Sequence, residues 1–174
     1  MRRIARSTSL LGFLSMMMSL ASTQARAESG VEATQRARRL AAKRYVGMTV
    51  PLPDSAFVNG LRVCTRDAPS GIVGYWKVPA KMVDAIDGEL RAYIRKSGID
   101  KGLPFSFSLY VRQYAGFVSD GKRNVYVNAL LLEKNSPLVE QSKKAFPSSC
   151  SSISGSWGIQ YDTSTKKFMG FAKN

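Results

Sequence analysis

The stretch LYVRQYAGFVSDGKRNVYVNALLL, residues 109–132, constrains the chain most. Apolar residues recur at every second position on either side of a glycine-bearing turn, the period of a strand with one face toward a core. Two strands are expected, one from about Phe105 to Val118 and one from about Arg123 to Leu132. Phe105, Phe107, Leu109, Val111, Ala115 and Phe117 share a face of the first, with Gln113 among them; Val125, Val127, Ala129 and Leu131 share a face of the second. A two-residue Asp120-Gly121 loop would split these sets between the two faces of the sheet. A three-residue Ser119-Asp120-Gly121 loop, with Gly121 in the left-handed position of a bulge, sets Ala115 opposite Val125 and Val111 opposite Ala129. That register is the expected one, because it gathers both apolar sets on one face.

The other face then carries Tyr110, Arg112, Tyr114, Tyr126 and Asn128, with Tyr114 opposite Tyr126 and Arg112 opposite Asn128. Tyr and Arg dominate many protein interfaces. An arginine among rings can also stack and donate paired hydrogen bonds. These five residues are the candidate binding surface. Two plainer readings stand beside it: a cross-strand tyrosine pair that stabilises the sheet by about 0.2–1 kcal/mol, or a face covered by another element.

Upstream, VEATQRARRLAAKRY, residues 31–45, favours helix and crowds Arg36, Arg38, Arg39, Lys43 and Arg44 together. It reads as a basic helix or arm over residues 28–48, an electrostatic contact for an anionic surface or a solvated lead-in. TVPLPDSAFVNG, from residue 49, reads as connector, and Leu61–Arg66 and Ile72–Val78 as two strands of a hairpin. Met82, Val83, Ile86, Leu90, Tyr93 and Ile94 then recur at helical spacing. Pro79 is placed at the first helical position and Gly98 at the end. Asp84, Asp87 and Glu89 lie early and Arg91, Arg95 and Lys96 late, the order that suits the helix dipole. A short helix near Leu138–Ala145 and a hairpin from Ser156 to Lys173 complete the pattern. The expected fold is α+β: one main amphipathic helix packed on an antiparallel sheet of about six strands, in a single domain over 49–174.

The first 27 residues read as a leader. Arg2, Arg3 and Arg6 precede the apolar run LLGFLSMMMSLA, which is shorter than the ~20 residues of a membrane-spanning helix. Ala25-Arg26-Ala27 gives a signal-peptidase pattern, so export to a periplasm or beyond is expected, with no membrane span after cleavage. The net charge is +14, and loss of the leader's four arginines leaves +10. Such a surface attracts anions. Cys64 and Cys150, an even pair in an exported chain, are expected to form one disulfide.

The chain has no histidine. That excludes Ser-His-Asp and Cys-His catalysis and the common zinc sites. No phosphate-cradling loop, dinucleotide fingerprint, nucleophile elbow or calcium loop is present in the sequence. No cofactor or metal is expected.

The run Arg112-Gln113-Tyr114-Ala115-Gly116-Phe117, then Gly121 and Tyr126-Val127-Asn128, followed by Trp157-Gly158-Ile159-Gln160-Tyr161-Asp162 and Phe168, resembles a group of small exported bacterial proteins of unknown function. In them an R-Q-Y-x-G strand leads through a glycine turn to a Y-x-N strand. The resemblance covers about residues 60–172 and implies a compact α+β fold without an established activity. The expected function is that of an exported, non-catalytic binding protein, an inhibitor or immunity-type protein for an unknown protein partner. An envelope module that binds anionic polymer or lipid headgroups is the alternative, and a histidine-independent hydrolase the second alternative. Nucleic acid is not an expected ligand.

Overall fold

The computed structural model describes residues 30–53, 69–147 and 153–173. The chain divides into two compact units, Met1–Leu40 and Ala41–Asn174. Residues 30–44 are helical, α1. Within the second unit the elements are β1 (Tyr45–Val46), β2 (Met48–Pro51), β3 (Ile72–Trp76), α2 (Ala80–Ser97), β4 (Val111–Ser119), β5 (Lys122–Leu130), β6 (Leu132–Glu133), α3 (Leu138–Ser142), β7 (Trp157–Asp162) and β8 (Lys167–Lys173).

The fold is α+β, and its six-stranded sheet is mixed rather than wholly antiparallel. It runs in the order β2-β4-β5-β7-β8, with β3 also on β4. β2 lies parallel to β4, with Thr49 beside Arg112 and Pro51 beside Tyr114; the remaining pairs of the sheet are antiparallel. The segment read as connector thus begins with a strand. Pro51 is compatible with it because it ends an edge strand, where a missing N–H costs no central ladder bond. β1 pairs with β6 in a separate two-stranded ribbon. Tyr45, Val46 and Met48 therefore belong to strands rather than to the basic arm. Leu61–Arg66, the first arm of the expected early hairpin, and both Cys64 and Cys150 lie outside the described residues, as does the leader.

The central hairpin corrects the expected register. Ser119 pairs with Lys122, so the loop is the two-residue Asp120-Gly121. Both take positive φ, 50° and 71°, the geometry of the tight turn whose twist suits a hairpin. Tyr114 faces Val127, Ala115 faces Tyr126 and Gln113 faces Asn128. The two apolar sets are split between the faces after all. This is tolerable because neither face is wet. Residues 111–117 of β4 and 124–130 of β5 are buried without interruption, as in sheets covered on both sides. Val125, Val127, Ala129, Trp157, Ile159 and Tyr161 join Tyr110 and Tyr114 in one core, against Val83, Ile86, Leu90 and Ile94 of α2. Val111, Ala115, Phe117, Tyr126 and Leu130 form the opposite core with Val139 and Phe146. The first strand also starts later than expected. Phe107–Leu109 is a 3-10 turn, so Phe105 and Phe107 pack on the α2 side.

The helix α2 follows the sequence reading closely. Its apolar stripe is buried, and Gly98 closes it at φ 74° with its N–H on the Arg95 carbonyl. Pro79 is the N-cap residue rather than the first helical one. Gly88 faces solvent, with nothing within 4 Å of where a Cβ would sit. Gly88→Ala is expected to stabilise the protein by about 0.5–1 kcal/mol, the helix-propensity difference. A urea midpoint that stays put or falls would contradict this placement. Gly116 has the opposite environment. The Trp76 ring crosses it to donate Nε1–H to the Phe117 and Asn124 carbonyls, both at 3.2 Å. A Cβ at Gly116 would stand 2.3 Å from the Trp76 carbonyl oxygen.

Candidate functional site

The five strand residues do not form one face. Tyr110, Arg112 and Tyr114 lie on the α2 side, while Tyr126 and Asn128 lie on the other. All five are buried, and Arg112, the most accessible of them, is 5% exposed. The alternation of side chains across a strand explains the division once the register is known.

Arg112 is enclosed by polar partners. Its Nε donates to Asp87 Oδ1 at 2.6 Å, and Nη2 to Asp87 Oδ2 at 3.4 Å. Nη1 donates to the Phe107 and Tyr110 carbonyls at 3.2 and 2.8 Å, and Nη2 to Thr49 Oγ1 at 2.9 Å. The Phe107 ring lies 4.4 Å from the guanidinium carbon. These contacts use the planar fork as fully as the group allows. Tyr114 donates its hydroxyl to the same Asp87 Oδ1 at 2.6 Å. Burial, then the Asp87 charge, pushes that hydroxyl far above the usual phenol range.

Asp87 is the residue that sequence reasoning misplaced. No acid sits in the first turn of α2, so the dipole does not account for it. Asp87 follows Val83 by four residues and precedes Leu90 by three, which puts it on the buried stripe. An acid on such a stripe demands a cationic or hydroxyl partner, and that was the available signal. Glu89, on the other flank of the helix, accepts the Tyr161 hydroxyl at 2.9 Å. Two tyrosine–carboxylate bonds therefore join α2 to β4 and β7. Asp84 remains exposed.

On the opposite face, Gln113 Nε2 donates to the Ser142 and Ala145 carbonyls at 2.7 and 2.8 Å. Its oxygen accepts from Asn128 Nδ2 at 2.7 Å. Gln113 thus fastens α3 and the turn after it to the sheet. Tyr126 lies over Gly158, where a Cβ would come 2.1 Å from the tyrosine oxygen. Tyr110 stands edge-on to Trp157 at 5.7 Å between ring centroids.

The buried tyrosines give the fold an alkaline limit. Burial raises Tyr110 to about 12, and burial with help from Glu89 raises Tyr161 to about 12. Because the folded values lie above the free value of about 10, their stabilisation is complete below pH 10 and lost as pH rises through 12. Absorbance at 295 nm should show the Tyr110 and Tyr161 phenolates appearing only near pH 12, assigned by Tyr→Phe variants, together with loss of ellipticity. Their ionisation near pH 10 in an intact fold would contradict the packing.

The basic residues behave differently. Arg36, Arg38, Arg39 and Lys43 are exposed on α1. Arg44 is exposed too but engaged: Nε donates to Glu133 Oε1 at 2.9 Å, and that hydrogen bond and charge raise the arginine further. Among the described residues every lysine and arginine except Arg112 is exposed. No group of three or more acidic or cysteine side chains among the described residues stands together to hold a metal ion. No described helix is long and apolar enough to cross a membrane.

Comparisons with protein-family models, with curated proteins and with solved structures found no match.

Proposed function

We propose that this chain is an exported, non-catalytic binding protein that associates with an anionic component of the cell envelope, either polymer phosphates or lipid headgroups. Export rests on the Arg2–Ala27 leader pattern. The observation that carries the reading is the distribution of charge. A chain that keeps a net charge of +10 once the leader is lost buries only Arg112 among its described basic residues and presents the rest to solvent. Clustered cations attract phosphate-bearing surfaces over the Debye length and hold them by charge-assisted hydrogen bonds. The Tyr-Arg-Asn set reads as core within a single chain, so the affinity is assigned to the charged exterior and not to the strand face.

The test is binding of the chain from Glu28 onward to anionic vesicles and to polyphosphate, across a salt series. Affinity for at least one of the two should fall by about tenfold or more between roughly 50 and 200 mM salt, as the screening length shortens. Binding to neither, or binding indifferent to salt, would overturn the proposal. So would capture of one salt-resistant protein partner lost in an Arg112→Ala/Tyr114→Ala variant that still folds.

A further inference from the structure

We infer that the exposed helical segment from Val31 to Leu40 is an interfacial anchor for a bilayer rich in anionic lipid. The inference rests on the anionic-ligand reading above and narrows it to one segment and one ligand source. Two observations meet in this stretch. Arg36 and Arg39 are three residues apart and therefore neighbours on the helix surface, and both are exposed. Leu40, one turn after Arg36 on the same side, is 58% exposed.

A soluble polyanion engages the arginines but gains nothing from an exposed leucine. A bilayer interface takes both, phosphates by the guanidinium forks and apolar side chains at the acyl boundary. Arginine is suited to this position because its planar fork grips a phosphate oxygen pair while its stem lies along apolar surface. Charge complementarity therefore commits the segment to anionic headgroups, with Leu40 as the inserting side chain.

The experiment compares the chain from Glu28 onward with Arg36→Gln/Arg39→Gln, Leu40→Ser and Leu40→Trp variants. Probes are vesicles of phosphatidylglycerol with phosphatidylcholine, vesicles of phosphatidylcholine alone, and polyphosphate. The arginine pair should weaken binding to the anionic vesicles by about thirtyfold, from roughly a fivefold loss per cation. Leu40→Ser should weaken vesicle binding but leave polyphosphate binding unchanged. The Leu40→Trp emission should shift to the blue with anionic vesicles and not with phosphatidylcholine alone. Salt-sensitive vesicle binding that both substitutions leave intact would overturn this anchor while the broader anionic reading stands. Binding to polyphosphate alone would overturn the lipid assignment in the same way. Binding to neither probe would remove both readings together. Circular dichroism melts identical to the parent chain would show that the exposed substitutions left the fold unchanged.

Discussion

Arg112→Ala is expected to cost about 3–5 kcal/mol of folding stability, the range for removing one partner of a buried ion pair. Arg112 and Asp87 side chains are 6% and 14% exposed. Without the guanidinium, Asp87 keeps the Tyr114 hydroxyl at 2.6 Å and a distant contact to Arg91 at 3.9 Å, neither of which replaces a bidentate cation. The Thr49 hydroxyl loses the guanidinium at the same time, and the Phe107 and Tyr110 carbonyls each lose one of two donors, keeping the Tyr110 and Met48 N–H groups. Removing both charges, as Arg112→Met/Asp87→Leu, should cost clearly less than the sum of the single changes, since no uncompensated charge is left. Arg112→Lys should fall between, because an ammonium keeps the charge and loses the fork. Urea unfolding of the set gives the coupling directly. A single-variant loss below about 1 kcal/mol would place Arg112 in water and return the strand residues to the list of binding candidates.

The same cluster marks the limit of what the sequence made legible. The helix α2 could be read to its last residue because its signals are local: an apolar stripe at Val83, Ile86, Leu90 and Ile94, and a glycine at position 98 that takes positive φ. The strands of the central hairpin were legible for the same reason, as was the final hairpin. Their register was not. Choosing between the two loops required knowing whether the second face is wet, and that depends on α2 and α3, which arrive from elsewhere in the chain. The alternation argument assumes one solvated face; covered on both sides, β4 and β5 tolerate aromatic, polar and aliphatic residues on either. β2 was hidden by its prolines. Arg112 was correctly singled out as unusual for a strand, yet its partner Asp87 precedes it by 25 residues and seemed explained by the helix dipole. The basic run at residues 36–44 was legible because exposure is what a run of like charges dictates.

Gln113 provides the second large effect. Gln113→Leu preserves approximate volume but should cost about 3 kcal/mol or more, because each buried polar group left without a partner costs about 1–3 kcal/mol. Three such groups depend on it: the Ser142 and Ala145 carbonyls, which accept from its Nε2, and the Asn128 amide, which donates to its Oε1. Both carbonyls lie at or beyond the C-terminal end of α3, where a helix leaves its last carbonyls without intrahelical donors. The helix spans only Leu138–Ser142, too short to persist on its own propensity, so the glutamine side chain substitutes for a cap supplied from the sheet. Adding Asn128→Val to Gln113→Leu should recover part of the loss, since an apolar pair leaves no orphaned amide. Recovery should be incomplete, because the two carbonyls still lack a donor. Hydrogen exchange separates the contributions. In the single variant, amides of residues 139–145 should exchange faster than the global stability loss requires, while those of β4 and β5 follow the global change. Uniform acceleration across the sheet would mean that Gln113 supports the core as a whole. A change below about 1 kcal/mol would mean that α3 is held by Val139 and Phe146, which pack against the sheet core, and not by the amide network.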